Sequence, residues 1–476
     1  MFFGREAELD QLCSLWRKRV ASLVTCRGRR RIGKSALIEE FAKRTGARFI
    51  KIEGKRPEKG WSNEVELKAF AEQLAAETGA ETTPPSNWLN AFIRLSDKIS
   101  DRVKTVVLLD EISWLGYFDC TFAATLKVAW DNYFKKHDRL VLVVCGSVST
   151  WIKENIIDSG AFFGRRSADI VLRELPLKEC VKFWGEAARR TDAREILDVL
   201  SITGGVPRYL EEIDPGLSAS ENIRRLCYMP NSILRVDFDE MFNDVITRQP
   251  AFVGKVLRAL VAGPKSVTDV ADSLGADKGG RISSALDMLV ETGLVSSDAG
   301  RNPETGAKVR ERRYRLRDNY TRYYLKFVEP VKPMIDDGSY RFVSLSALDE
   351  WEAVMGLAFE NLVVNNYPDL LPLLHLEGTL ITSAAPYRKS AVRGRSRGCQ
   401  IDLLIQSQGM ICIVEVKRRD IDKSIIAEVD GKVSCISRPA GVSIRTALVF
   451  DGTISPTIEA NGYFDAIIPA SRLLGM

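Results

Sequence analysis

The segment Gly28-Arg29-Arg30-Arg31-Ile32-Gly33-Lys34-Ser35 decides how the first part of this chain folds. It fits the phosphate-binding pattern GxxxxGK[ST], follows the apolar run Ala21–Cys26 and opens a helical pattern over Ser35–Lys43. Glycines let successive backbone N–H groups face phosphate oxygens, and the N-terminus of a helix favours negative charge. The sequence therefore predicts a phosphate site between a strand and a helix.

Four residues of this loop have predicted roles toward ATP. Gly28 and Gly33 shape the loop, Lys34 reaches the β- and γ-phosphates, and the Ser35 hydroxyl ligates Mg²⁺. The three arginines between the glycines occupy the variable positions of the pattern, so we assign them no catalytic role.

Polar residues follow two further apolar runs. The run Thr105–Asp110 delivers Asp110, which is predicted to hold Mg²⁺, and then Glu111, which is predicted to act as the general base on the attacking water. A plain strand-to-loop exit is the alternative for this acidic pair. The run Leu140–Cys145 ends before Ser147, which would lie beside the γ-phosphate unless this segment is a simple turn.

The pattern of the whole chain predicts an α/β multidomain protein. Residues 1–175 alternate β-branched runs with amphipathic stretches, which is typical of a P-loop core with a parallel sheet. Helical periodicity then predicts a lid over residues 176–249, and three short helices before two strands predict a winged helix over residues 250–332. A linker over residues 333–346 precedes a separate α/β module over residues 347–476.

Composition narrows the function classes. A length of 476 residues predicts several domains, and a net charge of +5 permits nucleic-acid binding without requiring it. Two histidines and nine cysteines without a CxxC pair leave little material for His triads or structural zinc. No apolar run is long enough for a membrane span, so we expect a cytoplasmic protein with no membrane partner.

Six signatures in order resemble the archaeal-type ATPases of the AAA+/STAND group. They are Phe3-Gly4-Arg5-Glu6-Ala7-Glu8-Leu9, the phosphate loop, Asp110-Glu111, Cys145-Gly146-Ser147, Gly164-Arg165-Arg166 and Thr203-Gly204-Gly205-Val206-Pro207. The resemblance implies that Phe3 to Arg5 pack near the adenine, that Ser147 is sensor 1 and that Pro207 with its neighbours contacts the nucleotide.

The same resemblance implies a role for Arg165 or Arg166. One of them would read the γ-phosphate, in cis or as an arginine finger from a neighbouring subunit, which leaves a homo-oligomer open. A solvated charge pair is the alternative interpretation.

A second constellation lies in the last module. Asp402 in the run Gln400–Gln406 and Glu415 in the run Met410–Lys417 are separated by twelve residues, which allows a hairpin that brings both carboxylates to one edge. Residues i and i+2 of a strand face the same side, so Glu415 and Lys417 converge. Two carboxylates can bind Mg²⁺, and a lysine can act on the attacking water or on the phosphorane charge.

With Glu360 on the helix Trp351–Asn365, this set resembles the PD-(D/E)XK nuclease superfamily. The resemblance implies a restriction-endonuclease-like fold in which Glu360, Asp402 and Glu415 are metal ligands. Ile401 stands where the family pattern has proline, a departure that many members tolerate. A degenerate nuclease fold that binds without cutting and a surface ion pair of Glu415 with Lys417 are the alternatives.

Two basic segments suit contacts with nucleic acid. The predicted loop over residues 387–398 carries five cations and no acid, as phosphate contacts would require: Arg388, Lys389, Arg393, Arg395 and Arg397. The predicted recognition helix and wing carry Lys278, Arg281, Lys308, Arg310, Arg312, Arg313, Arg315 and Arg317. DNA contact and a structural or docking role remain open for the winged helix.

The sequence as a whole favours an ATP-binding and ATP-hydrolysing switch that is coupled to a Mg²⁺-dependent nuclease domain acting on nucleic acid, with DNA favoured over RNA. The alternative is a regulatory ATPase whose last domain binds DNA or a protein partner without cleaving. The basic segment before Asp402 disfavours a purely protein-directed scaffold.

Overall fold

The computed structural model describes residues 2–79, 81–147, 149–245, 249–277, 279–309, 311–390 and 398–476. These residues divide into two compact units, Met1–Glu174 and Leu175–Met476. The finer boundaries predicted within residues 175–476 stay predictions. No helix among the described residues is long and apolar enough to cross a membrane.

The first unit is built on a parallel sheet of five strands. They are β1 (Ser22–Arg27), β2 (Arg48–Glu53), β3 (Thr105–Asp110), β4 (Leu140–Gly146) and β5 (Arg166–Val171). Their order is β2-β3-β4-β1-β5, and every pairing is parallel. The predicted α/β class with a parallel sheet is therefore confirmed. All residues of β3 and β4 are buried, which is why these strands read as continuous apolar runs.

Helices cover the sheet of the first unit. Their bounds are Glu6–Trp16, Lys34–Thr45, Asn63–Thr78, Trp88–Asp97, Ile112–Leu115, Phe122–Asn132 and Ser149–Ile152, with a 3₁₀ turn over Phe134–Lys136 and a π-helical turn over Lys153–Ile157. The rings of Trp88 and Phe122 meet edge to face with centroids 4.8 Å apart, and Phe92 joins them in the core. This aromatic cluster fixes two of the helices on one face of the sheet.

The second unit begins with short helices. They are Leu177–Cys180, a 3₁₀ segment over Val181–Arg189, Ala193–Thr203, Pro207–Leu210, Ala219–Cys227 and Ile233–Val245. The apolar periodicity of the sequence predicts one helix over Leu177–Ala187, which is wrong in its second half because Gly185 has a φ of 53° that breaks the helical path. The same periodicity predicts a helix over Ala193–Thr203, and the structure has a helix with these bounds.

Three helices and an antiparallel strand pair follow, in the order predicted for a winged helix. They are Pro250–Ala259, Val267–Leu274, Gly280–Glu291, β6 (Val295–Asp298) and β7 (Arg313–Leu316). The next segments are Asn319–Tyr323, a π-helical turn over Tyr324–Val328, a 3₁₀ turn over Glu329–Val331, Lys332–Asp336 and a 3₁₀ turn over Leu345–Ala347. Tyr320, Tyr323, Tyr324 and Phe327 are buried, so these aromatic side chains pack inside the second unit.

The last part of the second unit is a mixed five-stranded sheet. Its strands are β8 (Ile381–Lys389), β9 (Cys399–Ser407), β10 (Met410–Lys417), β11 (Ser443–Phe450) and β12 (Ala466–Pro469), in the order β12-β11-β10-β9-β8. The pairs β8/β9 and β9/β10 are antiparallel, and the other two are parallel. The accompanying helices are Trp351–Asn365, Tyr367–Leu373, Ser424–Ser434 and Pro456–Asn461, with a 3₁₀ turn over Ala470–Leu473.

One prediction about this sheet is wrong. The basic loop was expected to begin at Tyr387, but Tyr387, Arg388 and Lys389 belong to β8 and pair with Ile401, Gln400 and Cys399 of β9. Residues 391–397 lie outside the described residues. The sequence does not predict this strand, because the segment is polar and partly exposed and contains Pro386. These features are typical of an edge strand.

Arg418 is an ionic anchor inside the second unit. Its side chain is 3% exposed and bonds to Asp198 of the helix Ala193–Thr203. Its guanidinium also lies 3.1 Å from Glu352 and 3.6 Å from Asp451. The cation thus joins elements that are far apart in sequence, and its removal would leave partly buried carboxylates without their counter-ion.

We therefore predict that Arg418→Ala destabilises the second unit by about 3–5 kcal/mol, the usual effect of removing one member of a buried ion pair. Urea unfolding followed by circular dichroism would measure the loss. The matched control is Arg419→Ala, because the Arg419 side chain is 48% exposed and should contribute less than about 0.5 kcal/mol. Equal stability of Arg418→Ala and the wild type would contradict the anchoring role.

Candidate functional site

The phosphate loop joins the end of β1 to a helix that begins at Lys34. Gly28 has a φ of 155°, and a Cβ there would lie 2.5 Å from the carbonyl oxygen of Leu172. Gly33 has a left-handed φ of 87° at the N-cap. Any side chain at Gly28 would clash, and one at Gly33 would strain the backbone, so both glycines of the pattern have a structural reason.

Lys34 is buried and lies against the loop that it follows. Its ammonium donates to the carbonyl oxygens of Gly28 at 3.1 Å and Arg29 at 3.0 Å. These bonds hold a positive charge at the N-terminus of a helix, where the backbone N–H groups add to the attraction for an anion. The arrangement can bind a phosphate group.

Asp110 meets the loop at the carboxyl end of β3. Its Oδ2 accepts a 2.5 Å hydrogen bond from the Ser35 hydroxyl, and its Oδ1 accepts one of 3.0 Å from the backbone N–H of Glu111. The Lys51 ammonium on β2 lies 3.6 Å from the same Oδ2. Hydroxyl and carboxylate oxygens are the hard donors that Mg²⁺ prefers, so Ser35 and Asp110 fit this ion.

Lys51 is a residue of this site that sequence reasoning missed. Burial works against its charge, but Glu53, Asp110 and Glu39 outweigh burial and raise the pKa of Lys51. The signal was weak, because Lys51 stands in the middle of a strand whose exposed face is polar. Its pairing with Asp110 depends on strand order, which the sequence does not state.

Glu111 is held beside Ser147. Its Oε2 accepts hydrogen bonds from the Ser147 hydroxyl at 2.8 Å and the Ser147 backbone N–H at 3.2 Å. The backbone of Glu111 has a φ of 44°, a left-handed conformation that a non-glycine residue adopts at some cost in energy. The two residues predicted as base and sensor are therefore in direct contact.

Arg5 braces the phosphate loop from the N-terminal segment. Its Nη2 donates to the carbonyl oxygens of Ile32 at 3.1 Å and Arg173 at 2.6 Å. Burial lowers the pKa of Arg5, and the nearby Glu8 carboxylate opposes that effect. The arginine of the N-terminal signature thus contacts the phosphate loop itself, a contact that the sequence pattern could not specify.

The two candidate finger residues differ in their surroundings. Arg165 makes a two-point ion pair with Asp131, with N–O distances of 2.8 and 3.0 Å. Arg166 begins β5, the edge strand beside β1. A role for Arg165 toward a nucleotide would require it to leave Asp131. Pro207 begins a short helix in the second unit, after Gly205, whose backbone packs on that of Leu175.

The second candidate site is a cavity of about 1110 Å³ in the last sheet of the second unit. Glu360, Asp402 and Lys417 line it, and Lys389 and Lys432 add positive charge to its wall. Glu415 lies behind this wall with no exposed surface. The structure therefore groups the four residues that sequence reasoning had singled out in the last module.

Carboxylates share this region at close range. Burial and the neighbouring Glu360 raise the pKa of Asp402 to about 6, and burial and Asp402 raise the pKa of Glu415 to about 7. Burial likewise raises the pKa of Glu360. The backbone N–H of Val416 donates to Oδ2 of Asp402 at 2.9 Å. Repulsion between buried carboxylates is the kind of strain that a divalent cation relieves.

Two lysines, however, already compensate Glu415. The Lys417 ammonium lies 2.7 Å from Oε1 of Glu415, which confirms that these i and i+2 residues converge. Lys432 contacts both Glu415 oxygens, at 2.5 and 2.6 Å. Within the described ranges, no group of three or more His, Cys, Asp or Glu side chains is arranged to hold a metal ion. The carboxylates thus have the donor chemistry for Mg²⁺, but Lys432 occupies one of them.

Glu428 and Lys432 are residues that sequence reasoning missed here. They stand four residues apart on the helix Ser424–Ser434 and so share one face of it. Burial opposes the charge of Glu428, but the ammonium groups of Lys417 and Lys432 lower its pKa to about 2. The i, i+4 spacing was visible, but nothing in the sequence showed that this face points toward Glu415.

The basic segments are only partly available for ligands. Arg388 is exposed on β8, Lys389 donates to the Cys435 carbonyl at 3.0 Å, and Arg393, Arg395 and Arg397 lie outside the described residues. In the predicted wing, Arg313 pairs with Asp269, Arg315 with Asp298, and Arg317 with Asn365. Lys278 and Arg310 are not among the described residues. Half of the basic stripe predicted for the wing therefore serves internal contacts.

Comparison with known proteins shows what the first part of the chain is similar to. Residues 2–213 match the model of an ATPase domain found predominantly in Archaea. A Methanocaldococcus jannaschii relative, Uncharacterized protein MJECL04, is 22% identical over 427 residues, which cover 88% of each chain.

Two solved structures are similar to parts of this chain. The Walker-type ATPase PABY2304 of Pyrococcus abyssi is 17% identical with a TM-score of 0.52, covering 68% of this chain and 96% of that one. The ORC2 protein of Aeropyrum pernix, in ADPNP and ADP complexes, is 13% identical with a TM-score of 0.45, covering 70% and 94%. The likeness to the Pyrococcus protein concerns the fold, and it agrees with the family match. Residues 2–213 are therefore similar in sequence to an archaeal-type ATPase domain, and the fold of the Pyrococcus protein agrees with this similarity.

Proposed function

We propose that this protein is a cytoplasmic ATP-driven switch of the AAA+/STAND type whose last module is a Mg²⁺-dependent nuclease acting on nucleic acid, DNA in preference to RNA. The observation that carries the nuclease half is the grouping of Glu360, Asp402 and Lys417 around one cavity, with Glu415 directly behind it. The ATPase half rests on the loop geometry and on the family match of residues 2–213.

In the ATPase domain each residue has a distinct task. Lys34 and the N–H groups of the loop neutralise the phosphates, and Ser35 and Asp110 would hold Mg²⁺, which shields the charge of the β- and γ-phosphates. Glu111 accepts a proton from the attacking water, and its bonds to Ser147 keep the carboxylate in one orientation. Arg165 or Arg166 would read the γ-phosphate, in cis or as an arginine finger from a neighbouring subunit, and Pro207 would contact the nucleotide.

In the last module the chemistry is phosphodiester hydrolysis. Asp402 and Glu415, with Glu360 in support, would hold Mg²⁺, which lowers the pKa of bound water. Lys417 would stabilise the negative charge that develops on the phosphate, because its side chain lines the cavity in which the phosphate would lie. Arg388, Lys389 and the cations at residues 393, 395 and 397 would contact the backbone phosphates.

A second candidate follows from the contacts of Glu415. Since Lys432 bonds to both of its oxygens, the cavity can also serve as a charged pocket that binds nucleic acid or a protein partner without cutting. The protein would then be a regulatory ATPase. Cleavage assays separate the two candidates.

For nucleotide binding we predict that Lys34→Ala weakens ATP affinity by roughly ten- to a hundredfold, because a charge-assisted hydrogen bond contributes about 1.5–3 kcal/mol. Isothermal titration calorimetry with ATP and Mg²⁺ measures this. Lys43→Ala is the matched control, because Lys43 is exposed on the same helix and should leave the affinity unchanged. Unaltered affinity in a folded Lys34→Ala protein would refute the assignment.

For hydrolysis we predict that Glu111→Gln retains ATP binding but lowers kcat by about 10²–10⁴-fold, the usual contribution of a general base. Phosphate release under saturating ATP would measure kcat, and calorimetry would check binding. Ser147→Ala should lower kcat less, since it removes an orienting bond and leaves the base. A Glu111→Gln protein that turns over at the wild-type rate would place the base elsewhere.

For cleavage we predict that wild-type protein cuts DNA with Mg²⁺ and that Asp402→Asn loses about a hundredfold or more of the rate, since bound metal contributes several kcal/mol. Gel assays over a metal titration measure this, with exposed Glu459→Gln as the control carboxylate. Equal cutting by both proteins would assign the activity to another site. A wild type that binds DNA without cutting it would favour the regulatory candidate.

A further inference from the structure

Four charged side chains form a closed arrangement at the back of the cavity in the second unit. Lys432 contacts both oxygens of Glu415, and Lys417 contacts one of them. The same two lysines lie 3.5 and 2.8 Å from Oε1 of Glu428. Lysines and glutamates thus alternate, and each carboxylate has its charge balanced.

This balance obstructs a metal ion at Glu415. A cation that bound these oxygens would have to occupy the region where the Lys432 ammonium lies, 2.5 and 2.6 Å from the two oxygens, and the two positive charges would repel each other. Glu415 is fully buried, so a metal ion cannot approach its carboxylate from another, solvent-exposed side. Metal binding at Glu415 therefore requires Lys432 to move.

Lys432 has somewhere to go. It stands on the helix Ser424–Ser434, its side chain is 15% exposed, and it lines the same cavity as Lys389 and Asp402. A phosphate group in this cavity of about 1110 Å³ would offer the ammonium a new anionic partner. A lysine is suited to this exchange, because its flexible stem carries a point charge with three donors.

Asp402 is the residue that would bind the metal ion first. It is 7% exposed and lines the cavity, and its Oδ2 is engaged by the N–H of Val416. No donor to its Oδ1 is found among the residues described. Oδ1 of Asp402 is thus available to a cation, whereas the carboxylate of Glu415 is occupied by Lys432.

We propose that Lys432 is a charge switch that blocks the metal site at Glu415 until a nucleic-acid phosphate draws its ammonium away, so that nucleic acid and divalent metal bind cooperatively. This inference rests on the proposed function of the cavity and adds an order of events to it. By thermodynamic linkage the effect is mutual: nucleic acid raises metal affinity and metal raises nucleic-acid affinity by the same factor.

The first test measures metal binding in the full chain without nucleic acid or nucleotide. Mn²⁺ is titrated, free Mn²⁺ is followed by electron paramagnetic resonance, and the binding that Asp402→Asn abolishes is taken as the signal of this site. Lys432→Met should raise the Mn²⁺ affinity at least about tenfold over the wild type. Lys423→Met, an exposed lysine just before the same helix, is the matched control and should leave it unchanged.

The second test measures the coupling. The anisotropy of a short labelled DNA duplex, shown intact on gels, gives DNA affinity with and without Mn²⁺. Wild type and the charge-retaining Lys432→Arg should bind DNA more tightly with Mn²⁺, whereas the neutral Lys432→Met and Lys432→Gln should lose this dependence. Asp402→Asn should lose it too.

Several outcomes would overturn the switch: tight Asp402-dependent Mn²⁺ binding by the wild type without DNA, an unchanged affinity in Lys432→Met, or wild-type DNA binding that ignores Mn²⁺. The last measurement uses only the wild type, so it can refute the proposal even if the Lys432→Met protein misfolds. Coupling without any cleavage would support the switch and reject the nuclease. Cleavage with unchanged metal affinity in Lys432→Met would do the reverse.

Discussion

The hydrogen bond between Ser35 and Asp110 is the contact on which the site of the first unit depends. It joins the start of a helix to the carboxyl end of β3, and it can form only because β3 and β1 run parallel with β4 between them. Parallel strands end at one edge of a sheet, so the phosphate loop after β1, the acidic pair after β3 and Ser147 after β4 meet there. The remaining contacts of Lys34, Glu111 and Lys51 follow from this convergence.

Much of that convergence was predictable from the sequence. Buried parallel strands read as unbroken apolar runs, and the predicted run Thr105–Asp110 coincides with the observed strand β3. What the sequence could not supply was lateral order. Lys51 faces Asp110 because β2 lies beside β3, and Arg5 reaches Ile32 because the N-terminal segment lies against the loop. Such long-range pairings leave no local pattern.

The second unit shows the same limit more clearly. The helix Trp351–Asn365 and the strand Met410–Lys417 were predicted with the bounds that the structure has, since both have strong apolar patterns. The edge strands β8 and β12 were missed, because an edge strand is short or polar and alternates weakly. Lys432 was missed for a different reason: its partner Glu415 lies seventeen residues away on another element.

The two sites balance buried charge in different ways, and the difference bears on what each can bind. At Asp110 the nearest neighbour is the Ser35 hydroxyl, which can itself serve as a metal ligand, and the Lys51 ammonium lies farther from the same oxygen, at 3.6 Å. At Glu415 the near neighbours are two ammonium groups, which cannot be ligands and must be displaced or tolerated.

The strand that carries Glu415 and Lys417 continues directly into Arg418. Because neighbouring residues alternate across a strand, Glu415 and Lys417 face the charge cluster while Arg418 faces the opposite way, toward Asp198. Both sides of this strand end are therefore fixed by ion pairs of Lys417 and Arg418, whose side chains are 21% and 3% exposed. If the ion pairs on one side change, the backbone can shift only as far as the ion pairs on the other side allow. The ion pairs on the two sides of this segment are therefore coupled to each other through the backbone that they share.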